Sequence, residues 1–255
     1  MQKANSTGRR TAFVTGASRG IGAAVALALA RDGFDVAVSA TNVENLADTV
    51  AMLAPTGVRI VPVALDLRSL PGGEQAMAEV IGTFGHLDLL VNNAALTLRK
   101  PALEVTAAEW DVVIGANLTG TFFLSQRMGR HLVDSARPGC IISLASTHGV
   151  LGFPGRSTYG ISKGAVIQMT RMLAIEWAEY GIRVNAVAPG TVETPSRAAV
   201  FSADPRARET MLNRIPLRRF GTAEEVAGAV SYLAGPQGAY ITGQTLLLDG
   251  GLTAY

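Results

Sequence analysis

The stretch TAFVTGASRGIGAAVALALARDG, residues 11–33, decides the fold. Its first four residues, TAFV, favour a short strand bounded by a glycine turn. TGASRGIG, residues 15–22, then places Gly16, Gly20 and Gly22 in a G-x-x-x-G-x-G spacing, with Ser18, Arg19 and Ile21 between them. The Ala- and Leu-rich run that follows is a strong helix former, and Gly33 closes it as a C-terminal glycine. A strand, a glycine turn and a helix in immediate succession form a phosphate cradle. Glycine lets the backbone turn tightly and approach a pyrophosphate, while the helix N-terminus supplies free N–H groups and the positive end of its dipole. Glycine-rich loops also serve plain turns, so the surroundings decide the reading. The spacing departs from G-x-G-x-x-G, which makes the two-domain dehydrogenases a poor match.

The alternation continues to the C-terminus. Apolar runs at residues 35–40, 58–66, 87–94, 140–146, 183–190 and 245–250 join 11–16 as seven candidate strands. They are nearly continuous in apolar character, which suits strands covered on both faces. Helical patterns occupy 20–32, 43–53, 73–84, 107–135, 158–180 and 222–234. The alternation predicts an α/β chain with a single-domain doubly wound (Rossmann) fold: a seven-stranded parallel sheet with helices on both faces. Residues 1–9 read as a flexible tail and 10–255 as a single dinucleotide-binding catalytic domain. Within it, 191–221 carries Pro195, Pro205 and Pro216 with Arg197, Arg206, Arg208, Arg214, Arg218 and Arg219. That segment reads as a lid on the substrate side.

Of 255 residues, 48% are hydrophobic and 16% charged, which excludes disorder. A formal net charge of +2 implies no nucleic-acid partner. No apolar stretch approaches the ~18 unbroken residues of a membrane span, so no membrane partner is expected; no metal site is read. The one cysteine, Cys140, excludes an intrachain disulfide and fits a reducing, cytoplasmic setting. In GCIISLAS it reads as a small buried hydrophobe.

The end of the second strand discriminates cofactors. An acid there would hold the ribose 2′-OH of NAD and repel a 2′-phosphate. The sequence is VSATN, with Ala40 and Thr41 and no acid. Arg19 can reach a phosphate in the same region. NADP(H) is therefore favoured over NAD(H).

Near the middle of the chain, STYGISKGAVIQMTRMLAIEWAEYG, residues 157–181, sets Tyr159 and Lys163 one helical turn apart on one face. A free tyrosine has a pKa of about 10, and a nearby ammonium favours the phenolate. Bringing it to about 7 takes roughly 4 kcal/mol. Singly, such a pair is more often a surface contact, and Ser146 at a strand end or Asn117 within a helix has a plain structural explanation. As a set behind a glycine loop they point to proton handling at a carbonyl or hydroxyl.

Six motifs in order resemble the short-chain dehydrogenase/reductase family over nearly the whole chain. They are the glycine loop, NNAA at residues 92–95 (Ala95 replacing the family's glycine), Asn117, Ser146 thirteen residues before Tyr159-x-x-x-Lys163, NAVAPGTVET at 185–194, and YITGQTLLLDGG at 240–251. The resemblance implies an NAD(P)-dependent oxidoreductase moving a hydride between nicotinamide and a carbonyl or secondary alcohol. Tyr159 would be the general acid/base. Lys163 would lower its pKa and hold the nicotinamide ribose, Ser146 would polarise the substrate oxygen, and Asn117 would hold a water in a proton relay to Lys163. Asp66 and Leu67 would flank the adenine, Asn93 and Ala94 would line the ribose path, and Gly190, Val192 and Thr194 would face the carboxamide and pyrophosphate. His148 is a further pocket candidate.

The helix after Tyr159 is apolar around much of its circumference, which predicts a partner surface opposite the sheet. The resemblance agrees, implying a homo-oligomer, a dimer of dimers. The substrate is a small molecule. One reading is a 3-oxoacyl thioester, resembling the 3-oxoacyl-[acyl-carrier-protein] reductase-like members. Members that dock acyl carrier protein use basic residues beside the site entrance; Arg137 matches one by spacing, while Tyr180 stands where the second would be basic. The other reading is a sugar, polyol or other small ketone. A non-catalytic dinucleotide sensor would lose Tyr159 or Lys163, and a methyltransferase would want an acid after the second strand.

Overall fold

The computed structural model describes residues 8–194, 202 and 204–254. Its elements are β1 (Thr11–Val14), α1 (Gly20–Arg31), β2 (Asp35–Ala40), α2 (Ala47–Leu53), β3 (Ile60–Ala64), α3 (Leu70–Phe84), β4 (Leu89–Asn92), α4 (Ala107–Ile114), α5 (Thr121–Asp134), β5 (Gly139–Leu144), α6 (Ser157–Trp177), β6 (Ile182–Pro189), α7 (Pro205–Asn213), α8 (Ala223–Ala234) and β7 (Thr245–Leu248). All seven strands pair in parallel, in the order β3-β2-β1-β4-β5-β6-β7. The chain winds outward from β1 to β3, then restarts at β4 on the other side of β1. This is the doubly wound fold, and its switch point lies between β1 and β4, where such sheets bind ligands at the strands' C-terminal ends.

Alternate residues of each strand enter two separate cores. Ala12, Val14, Val36, Val38, Leu89, Val91 and Ile142 pack on one face with α1 and α8. Phe13, Ala37, Leu90 and Ile141 pack on the other with α3, α5 and α6. Both faces being covered explains why the strands read as continuous apolar runs. Pro62 sits in β3, an edge strand, where a missing ladder donor is tolerated.

Four expectations change. The helix expected over 107–135 is divided by a π-helical turn, Gly115–Gly120, that contains Asn117. A Cβ on Gly120 would overlap the Leu67 carbonyl, so only glycine lets this turn pass beneath that backbone. The segment 191–221, expected as a lid, contains a helix, α7, started by Asp204, whose side chain accepts from Ala207 N, and by Pro205 in its first turn. Pro195 and Arg197 lie outside the described residues. Arg9, placed in the expected tail, donates to Gly57 O at 2.8 Å and lies 3.6 Å from the Asp35 carboxylate, tying it to the fold. In α6, Val166, Ile167, Met169 and Leu173 are buried, while Ile161, Met172 and Ile175 form an exposed stripe on one face.

Candidate active site

β1 ends at the glycine loop, whose conformation is fixed by its neighbours. Gly16 has φ +64°, and a Cβ there would stand 2.7 Å from Ala94 Cα. A Cβ on Gly22 would fall 2.5 Å from Asn93 Nδ2. The NNAA segment after β4 clamps this loop. Asn93 Nδ2 donates to the carbonyls of Thr15 (2.9 Å) and Gly16 (2.8 Å), and Thr15 Oγ1 accepts from Asn93 N and Ala94 N. Helix α1 then begins with Arg19 at its N-cap, with no side-chain cap and no acid in the first turn. Its first residues, Gly20, Ile21 and Gly22, line a cavity of about 650 Å³, and helix N-terminal N–H groups are the donors that a pyrophosphate requires.

That cavity is lined by every expected residue of the adenosine and phosphate half: Gly16, Ser18, Arg19, Gly20, Ile21, Gly22, Ala40, Thr41, Asp66, Leu67, Asn93 and Ala94, and also by Thr194. Asn45 and Arg68 also line it and were missed from sequence. Asp66 is held by Arg68, its carboxylate accepting from Arg68 Nε and, at 2.6 Å, from a terminal guanidinium nitrogen. Those bonds hold the Asp66 carboxyl below its ordinary range.

A second cavity of about 350 Å³ shares Ile21, Asn93, Ala95 and Thr194 with the first, so the two adjoin. Ser146, Tyr159, Lys163, Gly190 and Val192 line it, together with His148 and Arg156. β5 delivers Ser146 two residues past its end, and α6 delivers Tyr159 and Lys163 from its first turns. Close backbone approach brings the two elements together: a Cβ on Gly149 would stand 2.7 Å from Lys163 C, and one on Gly160 would stand 2.8 Å from His148 O. Ser146 Oγ accepts from His148 N at 3.2 Å and lies 3.2 Å from His148 Nδ1. The Tyr159 ring meets the His148 ring edge to face at 5.8 Å between centroids.

Lys163 is buried, and its Nζ donates to Leu144 O while lying 5.8 Å from the centre of the Tyr159 ring. Burial pushes its pKa down to about 8, which leaves it cationic at neutral pH. The Asn117 side chain bonds to the segment after β4 and to α6. Its Oδ1 accepts from Leu96 N at 2.7 Å, and its Nδ2 donates to Leu96 O (2.8 Å) and Ser162 Oγ (3.0 Å). Ser162 in turn donates to Tyr159 O at 2.7 Å. The Asn117 side chain thus ties the segment after β4 to the first turn of α6. Ser162, fully buried, was missed from sequence.

Other basic residues have contacts within the chain. Arg137 precedes β5 and pairs with Asp88 at 3.0 Å, at the opposite end of that strand from Ser146. Of the arginines in segment 191–221, Arg208 pairs with Glu193, Arg219 with Glu225, and Arg218 donates to Asn213. Arg214 instead stands over the Phe153 ring at 5.0 Å in a recess that also contains His148. Cys140 is buried, and burial pushes its thiol up to about 11, which leaves it unreactive. Among the described residues, no helix is long and apolar enough to cross a membrane.

Residues 16–253 match the family model described as enoyl-(acyl carrier protein) reductase. The chain is 38% identical to 3beta-hydroxysteroid dehydrogenase 1 of Eggerthella lenta, over 96% of this chain and 94% of that one. It is 37% identical to the 3-oxoacyl-[acyl-carrier-protein] reductase of Thermotoga maritima, over 95% and 97%. Among solved structures, a protein assigned as a short-chain alcohol dehydrogenase from Sinorhizobium meliloti 1021 superposes with a TM-score of 0.93 at 42% identity, covering 96% of each chain. One assigned as a 2-deoxy-D-gluconate 3-dehydrogenase from Agrobacterium tumefaciens, solved with bound NADP, gives 0.88 at 33%, covering 96% and 97%. The chain belongs to the short-chain dehydrogenase/reductase family. It is an NAD(P)-dependent oxidoreductase acting on alcohol and keto groups.

Proposed function

We propose that the chain interconverts a small ketone and its secondary alcohol with NADP(H), using Tyr159 as general acid/base. The reading is carried by one observation: Ser146, Tyr159 and Lys163 line a single cavity that joins the cavity of the glycine loop through Ile21, Asn93, Ala95 and Thr194. The nicotinamide, when bound, supplies or accepts the hydride. The glycine loop and the α1 N-terminus would hold its pyrophosphate, Asp66 and Leu67 its adenine, Asn93 and Ala94 the ribose path, and Gly190, Val192 and Thr194 the carboxamide end. Lys163 would hold the nicotinamide ribose and place a positive charge beside the phenol, which favours its anion. Ser146 would donate to the substrate oxygen, and Tyr159 would give or take the hydroxyl proton. With the Asn117 side chain engaged by Leu96 and Ser162, any relay water would be held by its main chain. The π-helical turn supports this, because it breaks the regular helical bonding there.

For NADP(H) over NAD(H), the support is the wall at the end of β2. It presents Ala40, Thr41 and Asn45 with Arg19 nearby, and Asp66, the one carboxylate lining the cavity among the described residues, is already held by Arg68. A 3-oxoacyl thioester is the substrate of one relative, but the position of Arg137 gives no support for acyl-carrier docking in this chain. A sugar, polyol or other small polar ketone is favoured for that reason.

The exposed stripe of Ile161, Met172 and Ile175, with Leu246 and Leu247 exposed on the edge strand β7, supports a homo-oligomer, a dimer of dimers. A 26.6 kDa species on size exclusion would overturn that. Residues 10–255 would form one catalytic domain working in the cytoplasm. The central test is Tyr159→Phe, assayed by cofactor absorbance against ketones, sugars and acyl thioesters. Turnover should be lost while cofactor binding persists; full turnover would overturn the mechanism.

A further inference from the structure

We infer that the carbonyl carbon of the substrate carries one methyl-sized alkyl arm, seated in a recess walled by Leu151, Phe153, Met211 and Leu252. The inference rests on the hydride-transfer reading above and narrows the ketone that the site accepts. The recess shares His148 and Thr191 with the cavity of Ser146, Tyr159 and Lys163, so the two adjoin. Its volume is about 20 Å³, against about 350 Å³ for that cavity. Such a space holds about one water-sized group. A water there would need about two to four polar partners, whereas a methyl group needs only apolar walls.

Contacts on each side fix those walls. The Phe153 ring lies 5.2 Å from the His148 ring, and the Arg214 guanidinium lies over it at 5.0 Å. The Met211 sulfur accepts from Thr191 Oγ1 at 3.0 Å, which turns that hydroxyl toward the wall and ties α7 to the end of β6. Leu252 belongs to the C-terminal turn, where the Asp249 carboxylate accepts from Gly251 N (2.9 Å) and Thr253 N (2.8 Å). Leu217 N donates to Gly250 O at 3.1 Å and joins that turn to the segment after α7. Walls held in this way resist further methylenes, because overpacking forces side chains and backbone to shift. His148 relates the recess to the chemistry: its Nδ1 lies 3.2 Å from Ser146 Oγ, and its ring meets the Tyr159 ring at 5.8 Å. A carbonyl held between Ser146 and Tyr159 therefore has the recess for one arm and the larger cavity for the other. The unequal sizes decide which arm goes where, so one face of the carbonyl meets the hydride and one enantiomer of the alcohol forms.

The test uses the full chain with NADPH and a series of 1-hydroxyalkan-2-ones whose alkyl arm grows from methyl to ethyl to propyl. From methyl to propyl, kcat/KM should fall at least about tenfold. The methyl compound should give a single enantiomer of propane-1,2-diol on chiral chromatography. Met211→Ala and Leu252→Ala enlarge the recess, and each should raise the propyl-to-methyl ratio of kcat/KM by at least about tenfold. NADPH titration of the same samples shows which variant is folded. A series that stays level or rises with arm length would overturn this inference and leave the hydride-transfer reading standing. So would an unchanged ratio in a folded variant, a racemic diol from the wild type, or turnover confined to sugars or acyl thioesters. No turnover of any of these compounds would overturn both.

Discussion

On the β1–β4 side of the cleft, the glycine loop presents backbone and small side chains, with Arg19, Asp66 and Arg68 around it. The β5–α6 side presents a phenol, an ammonium and a hydroxyl. The first side is shaped by what is absent: Gly16 and Gly22 leave space that a Cβ would fill, and Asn93 fixes the emptied loop by its carbonyls. The second side is shaped by what is present, with Lys163 anchored on Leu144 and Ser162 bonded to the turn that carries Tyr159. Glycine is used there only to bring backbones together, at Gly149 and Gly160. A half built from backbone should fail when atoms are added, and a half built from side chains should fail when they are removed.

The sharpest contrast crosses the two. Gly16→Val adds a branched side chain at a positive φ against Ala94. NADPH affinity, read by fluorescence titration, should fall by about a hundredfold or more. Tyr159→Phe removes one oxygen and should cost about a thousandfold in kcat while leaving that affinity within a few fold. If Gly16→Val bound NADPH normally, or Tyr159→Phe lost binding as well, the division of labour would be wrong.

Lys163 carries the same contrast into stability. Its folded pKa, pushed down to about 8 by burial, lies below its ordinary 10.5. The cost of the buried charge is therefore present in full below about pH 8 and is relieved as pH rises from there toward 10.5. Lys163→Met should abolish turnover and yet stabilise the cofactor-free protein at pH 7, by up to roughly 3 kcal/mol less the lost bond to Leu144. Thermal melts check this directly. Wild-type stability should climb between pH 8 and 10 relative to Lys163→Met, and parallel curves would contradict it.

A smaller effect tests the β2 end. Thr41→Asp puts a carboxylate where the wall has none. The NADPH-to-NADH preference in kcat/KM should drop tenfold or more, with NADH use unchanged or improved. An unaltered ratio would show that the 2′-phosphate is not read there.

The contrast also explains what could be read from sequence. Strand–helix alternation and the glycine spacing are local patterns, so the sheet, its two covers and the glycine loop were legible. Tyr159 and Lys163 were legible because one helical turn fixes their relation. The contacts of Asn117 were not, since its partners Leu96 and Ser162 are 21 and 45 residues away and meet it only in the folded chain. Arg68 and Asn45 were missed because side chains aimed into a cavity leave no periodic trace. Helix α7 does have a local start in Asp204 and Pro205, but its arginine-rich face carries little apolar pattern.

A position that carries neither cofactor nor chemistry gives the baseline for these effects. Thr106 caps α4 in a reciprocal box with Glu109: the Thr106 hydroxyl accepts from Glu109 N, and the Glu109 carboxylate accepts from Thr106 N and Lys100 Nζ. Those bonds, the backbone N–H of Thr106 foremost, hold Glu109 at a pKa of about 2 against its usual 4.5. Thr106→Ala should cost about 1 kcal/mol in a melt at pH 7 and leave NADPH affinity unchanged. A depressed carboxyl contributes stability above pH 4.5 and loses it as pH falls toward 2. The variant retains less of that box, so its melting curve should converge on the wild type's through that window. A constant gap down to pH 2 would mean that the hydroxyl acts on its own rather than through Glu109. A change in cofactor affinity would mean that α4, through the turn containing Asn117, is coupled to the cleft more tightly than the division into two sides allows.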